Sequence, residues 1–136
     1  MRIELASTMA DLSAAEVLFD RPLDPAAGRR FLEDERHHLV VAFDDEVAVG
    51  FASGVEMTHP DKGTELFIYE LAVAAERRRQ GIGTALLREL ALVGRRRGCY
   101  GMWVLAEADD EAARSLYRSF GAAGSEAVMF SWSFVD

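Results

Sequence analysis

Residues 64–87, TELFIYELAVAAERRRQGIGTALL, constrain the fold more than any other stretch: an apolar strand, an arginine cluster, then Gly81-Ile82-Gly83 opening a leucine-rich helix. A strand that turns through glycine into a helix leaves backbone N–H groups unpaired at the positive end of the helix dipole. With guanidinium groups nearby, such a turn is a seat for a diphosphate. The P-loop reading fails, because Gly83 is followed by Thr84-Ala85 without a lysine. The dinucleotide fingerprint also fails, because Leu86 stands where a third small residue is needed.

The elements around this unit follow from periodicity and punctuation. RIELA alternates like a strand, and MADLSAAEVLF has helical spacing behind a cap at Thr8 or Ser7. Asp24-Pro25 pairs an N-cap with proline in the first turn and launches a second helix to about Glu35. HHLVVAF and VAVGFASGVEM form a hairpin across Asp44-Asp45, and THPDKG loops into the strand ELFIYELAV, whose near-continuous apolar character predicts burial on both faces. From Gly81 apolar residues recur at helical intervals as far as Arg95-Arg96-Arg97-Gly98, a basic, glycine-ended C-terminus. CYGMWVLAE predicts another buried strand, DDEAARSLYRSFGA a helix stopped by Gly121, and VMFSWSFV a closing alternating strand. The order β-α-α-β-β-β-α-β-α-β predicts an α/β fold: one mixed sheet with helices on both faces, in a single domain over residues 1–136.

Charge and composition narrow the function. The chain carries 16 acidic and 6 basic residues through Glu76 but 7 acidic and 9 basic from Arg77 onward, within a net charge of −8. The basic excess is local, which suits a compact anion and disfavours a nucleic-acid partner. No apolar run has the roughly 20 residues of a membrane span, and the N-terminus lacks a secretory pattern, so a cytoplasmic setting is expected. The lone Cys99 reads as a packed side chain, and His37, His38 and His59 lack metal-pair spacing, so no metal is expected.

Arg78-Arg79-Gln80-Gly81-Ile82-Gly83, with ELAV before it and LYRSFGA after it, resembles the signature of the GCN5-related N-acetyltransferase (GNAT) superfamily over residues 69–121. YELAV, RRQGIGTAL and DDEAARSLY look most like the aminoglycoside 3-N-acetyltransferase branch, in which aspartate replaces a common asparagine. The resemblance implies acetyl-CoA as donor, its pyrophosphate held by the stretch Arg78, Arg79, Gln80, Gly81, Ile82, Gly83 and Thr84, chiefly through the backbone N–H groups from Arg79 onward. It also implies a pantetheine arm lying along the backbone of Leu71, Ala72 and Val73, where two parallel strands splay. Family members often pair through edge strands, so VMFSWSFV is a candidate homodimer edge.

Amide formation from a thioester needs a base for the amine, a polarised carbonyl and an acid for the thiolate. Glu70 sits within an apolar strand segment, where a carboxylate needs either a pocket holding an amine or an ion pair with an arginine of a packed helix. Tyr117 stands at the family's general-acid position, or packs with Leu116 and Phe120. The carbonyl would be polarised by a backbone N–H near Val73. Glu107, Asp109, Asp110 and Glu111 exceed what a helix cap requires. The surplus on Glu107, Asp109 and Asp110 fits a small polycationic amine: an aminoglycoside first, a polyamine or a peptide N-terminus as alternatives. Trp103 and Trp132 could line the acceptor groove, but each lies in an expected strand, where a core position is the ordinary outcome. A member that binds acyl-CoA without turnover is the reading of another class.

Overall fold

The computed structural model describes residues 1–135. Its elements are β1 (Arg2–Leu5), α1 (Met9–Ala15), α2 (Pro25–Glu33), β2 (His37–Asp44), β3 (Val47–His59), β4 (Gly63–Val73), α3 (Ile82–Arg96), β5 (Met102–Val104) and α4 (Glu111–Ser119). The strands form one sheet in the order β1-β2-β3-β4-β5, antiparallel except for the parallel pair β4/β5. The mixed α/β architecture is therefore as expected. The closing strand is not: VMFSWSFV forms neither helix nor strand and lies exposed.

Local chemistry explains the element ends. Thr8 caps α1 in a capping box with Asp11, and Asp24 accepts from the N–H groups of Ala26 and Ala27 ahead of α2. Helix α2 stops at Glu33, two residues short of the expected end, and α3 gives way to Gly98 at φ 83°.

Two cores sandwich the sheet. Ile82, Leu86, Leu87 and Leu90 of α3 pack on Val40, Ala52, Leu66 and Ile68. On the other face Leu12 and Ala15 of α1 meet Leu39, Val41, Phe43 and Phe51. That second layer covers β2 and β3 but leaves the far end of the sheet bare. Tyr69 on β4 is 75% exposed and Trp103 on β5 39% exposed, so neither strand is buried on both faces and Trp103 is not core. Trp132, at 81% exposure, is not core either. Cys99 is partly buried against the α3-side core, and that burial pushes its thiol upward.

Candidate active site

The site begins with a fault in β4. Residues Ser53 and Glu70 are register partners, as are Gly54 and Ile68, so Tyr69 is an extra residue with no partner on β3. A bulge of this kind bends its strand and resets the alternation of side chains. Leu66 and Ile68 face α3 before it; Leu71 and Val73 do so after it, with Ala72 on the opposite face. Glu70 therefore shares the α1/α2 face of the sheet, where strict alternation from Ile68 would have put it under α3.

On that face its ionisable neighbour is Asp20, not an arginine. Burial, then the charge of Asp20, then a hydrogen bond to Asp20, push the Glu70 carboxyl above its ordinary value. Asp20 belongs to the loop ahead of α2, a loop held by Phe19 edge-on to Phe51 with centroids 5.1 Å apart. The Glu16 carboxylate, accepting from the Leu23 N–H at 2.7 Å, holds it as well. Sequence reading missed Asp20: its role depends on the bulge and on a contact some fifty positions away, and neither leaves a local signal.

The bulge has a second effect. Pairing between β4 and β5 covers Leu66–Met102, Phe67–Trp103 and Ile68–Val104 and then ends. From Glu70 to Val73, β4 keeps β3 on one side and has no strand on the other among the described residues. Leu71, Ala72 and Val73 lie on this free edge.

The edge leads through a short helical turn at Ala75–Arg77 into the glycine turn. Arg79 and Gly81 both have positive φ, 63° and 81°, and nothing lies within 4 Å of where a Gly81 Cβ would stand. No side chain caps α3, and among the described residues the N–H groups of Gly81, Ile82, Gly83 and Thr84 make no hydrogen bond. The first satisfied N–H is that of Ala85, on the Gly81 carbonyl at 3.0 Å. An uncapped helix N-terminus with open space above a glycine suits an anion.

The arginines divide. Arg77 donates to Asp44 at 2.7 Å and to Gln80 Oε1 at 3.0 Å, so it braces the turn against the end of β2 and is not free for a ligand. Arg78 and Arg79 are exposed. Gln80 meets Arg77 through its side chain.

Gly83 does a different job from Gly81. A Cβ there would stand 2.8 Å from Leu116 Cδ2, so glycine is what lets α4 approach the start of α3. The same approach packs Tyr117, partly buried, against the α3-side core. Burial and, to a lesser degree, the charge of Asp110 push the Tyr117 hydroxyl above its ordinary value, which keeps its proton in place at neutral pH. Asp110 caps α4 by accepting from the Ala113 N–H at 3.0 Å. Glu107 and Asp109 are exposed on the same approach to α4, and their backbone carbonyls accept from the Asp110 and Glu111 N–H groups.

Known proteins are similar to this chain in sequence and fold. Residues 6–122 match the model of the acetyltransferase (GNAT) family. The chain is 33% identical over 116 residues to the N-alpha-acetyltransferase RimI of Mycobacterium tuberculosis, covering 85% of this chain and 71% of that protein. Among solved structures, the aminoglycoside acetyltransferase meta-AAC0020 from an uncultured soil metagenomic sample, in complex with sisomicin, superposes with a TM-score of 0.89 at 22% identity, over 98% of this chain and 96% of its own. The aminoglycoside acetyltransferase HMB0005, also from an uncultured soil sample, gives a TM-score of 0.83 at 27% identity over 99% and 100%. With a free strand edge, an uncapped glycine turn and these matches over most of its length, the chain belongs to the GNAT family and is an acetyl-CoA-dependent N-acetyltransferase.

Proposed function

We propose that this enzyme acetylates a primary amine of a small polycation, with an aminoglycoside as the favoured acceptor and the 3-amino group as the favoured position. The observation that carries the reading is the paired carboxylates, Glu70 and Asp20, on the open face beside the free β4 edge. The Glu107, Asp109 and Asp110 side chains add negative charge at the approach to α4, where a polycation gains from each. The aminoglycoside acetyltransferases of like fold support the acceptor class.

In this reading the pyrophosphate of acetyl-CoA takes the unpaired N–H groups of the glycine turn, with Arg78, Arg79 and Gln80 flanking it. The pantetheine amides pair with the Leu71, Ala72 and Val73 backbone, and the thioester carbonyl meets a backbone N–H near Val73. Glu70 holds the acceptor ammonium and takes one proton from it, directly or through water. The amine nitrogen bonds to the acetyl carbon, the carbon–sulfur bond breaks, and Tyr117 gives its proton to the departing sulfur. The excess proton left on the nitrogen restores the Tyr117 hydroxyl, so that one proton in all leaves through Glu70. All the parts serve direct attack within a ternary complex. The expected setting is the cytoplasm.

A peptide N-terminus is the second reading, and the 33% identity to RimI favours it. Thiol release measured across aminoglycosides, polyamines and peptides decides between them. Turnover of cationic sugars with peptides inert supports the first reading; turnover of peptides alone replaces it with the second. Product NMR then assigns the amine acetylated. Glu70→Gln and Tyr117→Phe are each expected to lower kcat by about 10²–10⁴-fold while coenzyme affinity, read by calorimetry, changes little. Coenzyme binding by the parent protein without any turnover would leave a binding module instead.

A further inference from the structure

Residues 78–80 carry the chain from Arg77 to Gly81 with almost no main-chain support. Arg78, Arg79 and Gln80 make no main-chain hydrogen bond, as donor or acceptor, among the described residues. Arg79 also stands at φ 63°, a left-handed conformation that residues other than glycine seldom adopt, and Gly81 follows at 81°. A backbone in such a region persists only where its surroundings over-determine it. The main chain does not do so here, so the restraint has to come from side chains.

One relay of side-chain hydrogen bonds supplies it. Gln80 Oε1 accepts from Arg77 Nε at 3.0 Å, and Arg77 Nη1 donates to Asp44 Oδ2 at 2.7 Å. Arg77 is itself fixed, with its N–H on the Ala74 carbonyl at 2.8 Å and its side chain 27% exposed. Asp44 is the last residue of β2 and the register partner of Val47, so it sits at the root of the β2/β3 hairpin turn. That turn is anchored to β1 in its own right. The Arg2 guanidinium donates to the Asp45 carbonyl and lies 4.5 Å from the centroid of the Phe43 ring. A single carboxylate, 33 positions earlier in the chain, thereby ties the glycine turn to the frame of the sheet.

We propose that Asp44 is a positioning residue for the donor: acting through Arg77 and Gln80, it holds residues 78–81 in the shape that receives the diphosphate of acetyl-CoA, given that the glycine turn is the diphosphate seat proposed above. Charge alone gives Asp44 the opposite effect. A carboxylate near a diphosphate repels it, and this one also neutralises a guanidinium that would otherwise attract it. By Coulomb interaction, then, Asp44→Asn tightens coenzyme binding. Where the turn has to be held, the same change weakens it, because apparent affinity falls with the fraction of molecules whose turn has the competent shape. The two effects differ in sign.

Calorimetric titration of the full chain with coenzyme A, and NMR titration with pantetheine, which lacks the diphosphate, test this. The parent protein is expected to bind coenzyme A more tightly than pantetheine. Asp44→Asn is expected to weaken coenzyme A by about 5–30-fold and to leave pantetheine within about twofold. Asp44→Glu, which keeps the carboxylate, should recover most of the loss. Unchanged or tighter coenzyme A binding by Asp44→Asn overturns the proposal, as does an equal loss for both ligands, which would assign Asp44 to folding alone. A further loss of the same size when Asp44→Asn is added to Arg77→Gln overturns it too, because the effect would not pass through Arg77. A parent protein that binds both ligands equally removes the diphosphate seat itself, an outcome distinct from a seat that is present but indifferent to Asp44. Asp44 is 48% exposed, and Asp44→Ser repeats the measurement should Asp44→Asn misfold.

Discussion

The base role proposed for Glu70 rests on what stands beside it. A carboxyl raised by burial and by a second carboxylate is protonated over a wider acid range than an ordinary glutamate, so the acid limb of kcat/KM is expected to lie above the usual carboxylate range. Asp20→Asn removes the like charge and should move that limb toward lower pH. A pH–rate profile of the two proteins checks this, and an unmoved limb would detach Asp20 from the chemistry. Glu56 is shifted the other way. Burial alone would raise it, but hydrogen bonds from His38 at 2.6 Å and Arg97 at 2.8 Å outweigh burial and hold it below its ordinary 4.5. Its contribution to stability is therefore complete above pH 4.5 and is lost as pH falls through the depressed folded value. Glu56→Gln is expected to cost about 1–3 kcal/mol at neutral pH and to flatten acid unfolding, as read by denaturant titrations at several pH values.

At the scale of elements, two glycines set how closely α3 can be approached. A Cβ on Gly50 of β3 would meet Ile82 Cγ2 at 2.9 Å, Leu86 Cδ1 at 3.2 Å and the Ala72 carbonyl at 3.3 Å. Gly50→Ala is expected to cost about 1–3 kcal/mol and, by displacing Ile82 at the head of α3, to raise KM for acetyl-CoA. Gly83→Ala meets only the end of the Leu116 side chain, so its stability cost should be smaller and its effect should fall on kcat through the displaced Tyr117. Denaturation and steady-state kinetics on both variants separate the two outcomes. The elements themselves were legible where caps and periodicity coincide: Thr8, Asp24-Pro25, Gly81 and the leucine spacing of α3 each mark an end or a face. They were misread where an apolar run was equated with burial, because Trp103 and VMFSWSFV have the residue types of a core strand in a place where the single chain supplies no covering layer.

For the whole molecule, the uncapped glycine turn proposed to receive the coenzyme was readable because it consists of backbone features that glycine and helix starts advertise. The acceptor side was not. Asp20, the bulge at Tyr69 and the commitment of Arg77 to Asp44 all arise from contacts between distant segments, which local patterns do not encode. The residues proposed to hold the donor are concentrated in one strand–turn–helix unit, whereas those proposed to face the acceptor come from the loop ahead of α2, from β4 and from the approach to α4. Sequence drift in those scattered segments can change which amine is accepted while the donor unit stays intact.

The unpaired residue in β4 makes strand length a discrete variable. Deleting Tyr69 would shorten the strand and remove the bulge, yet plain alternation from Ile68 would leave Glu70 on the α1/α2 face and Leu71 and Val73 beneath α3. What such a deletion takes away is the local bend and twist, so it separates the aim of the Glu70 side chain from the side of the sheet on which that residue stands.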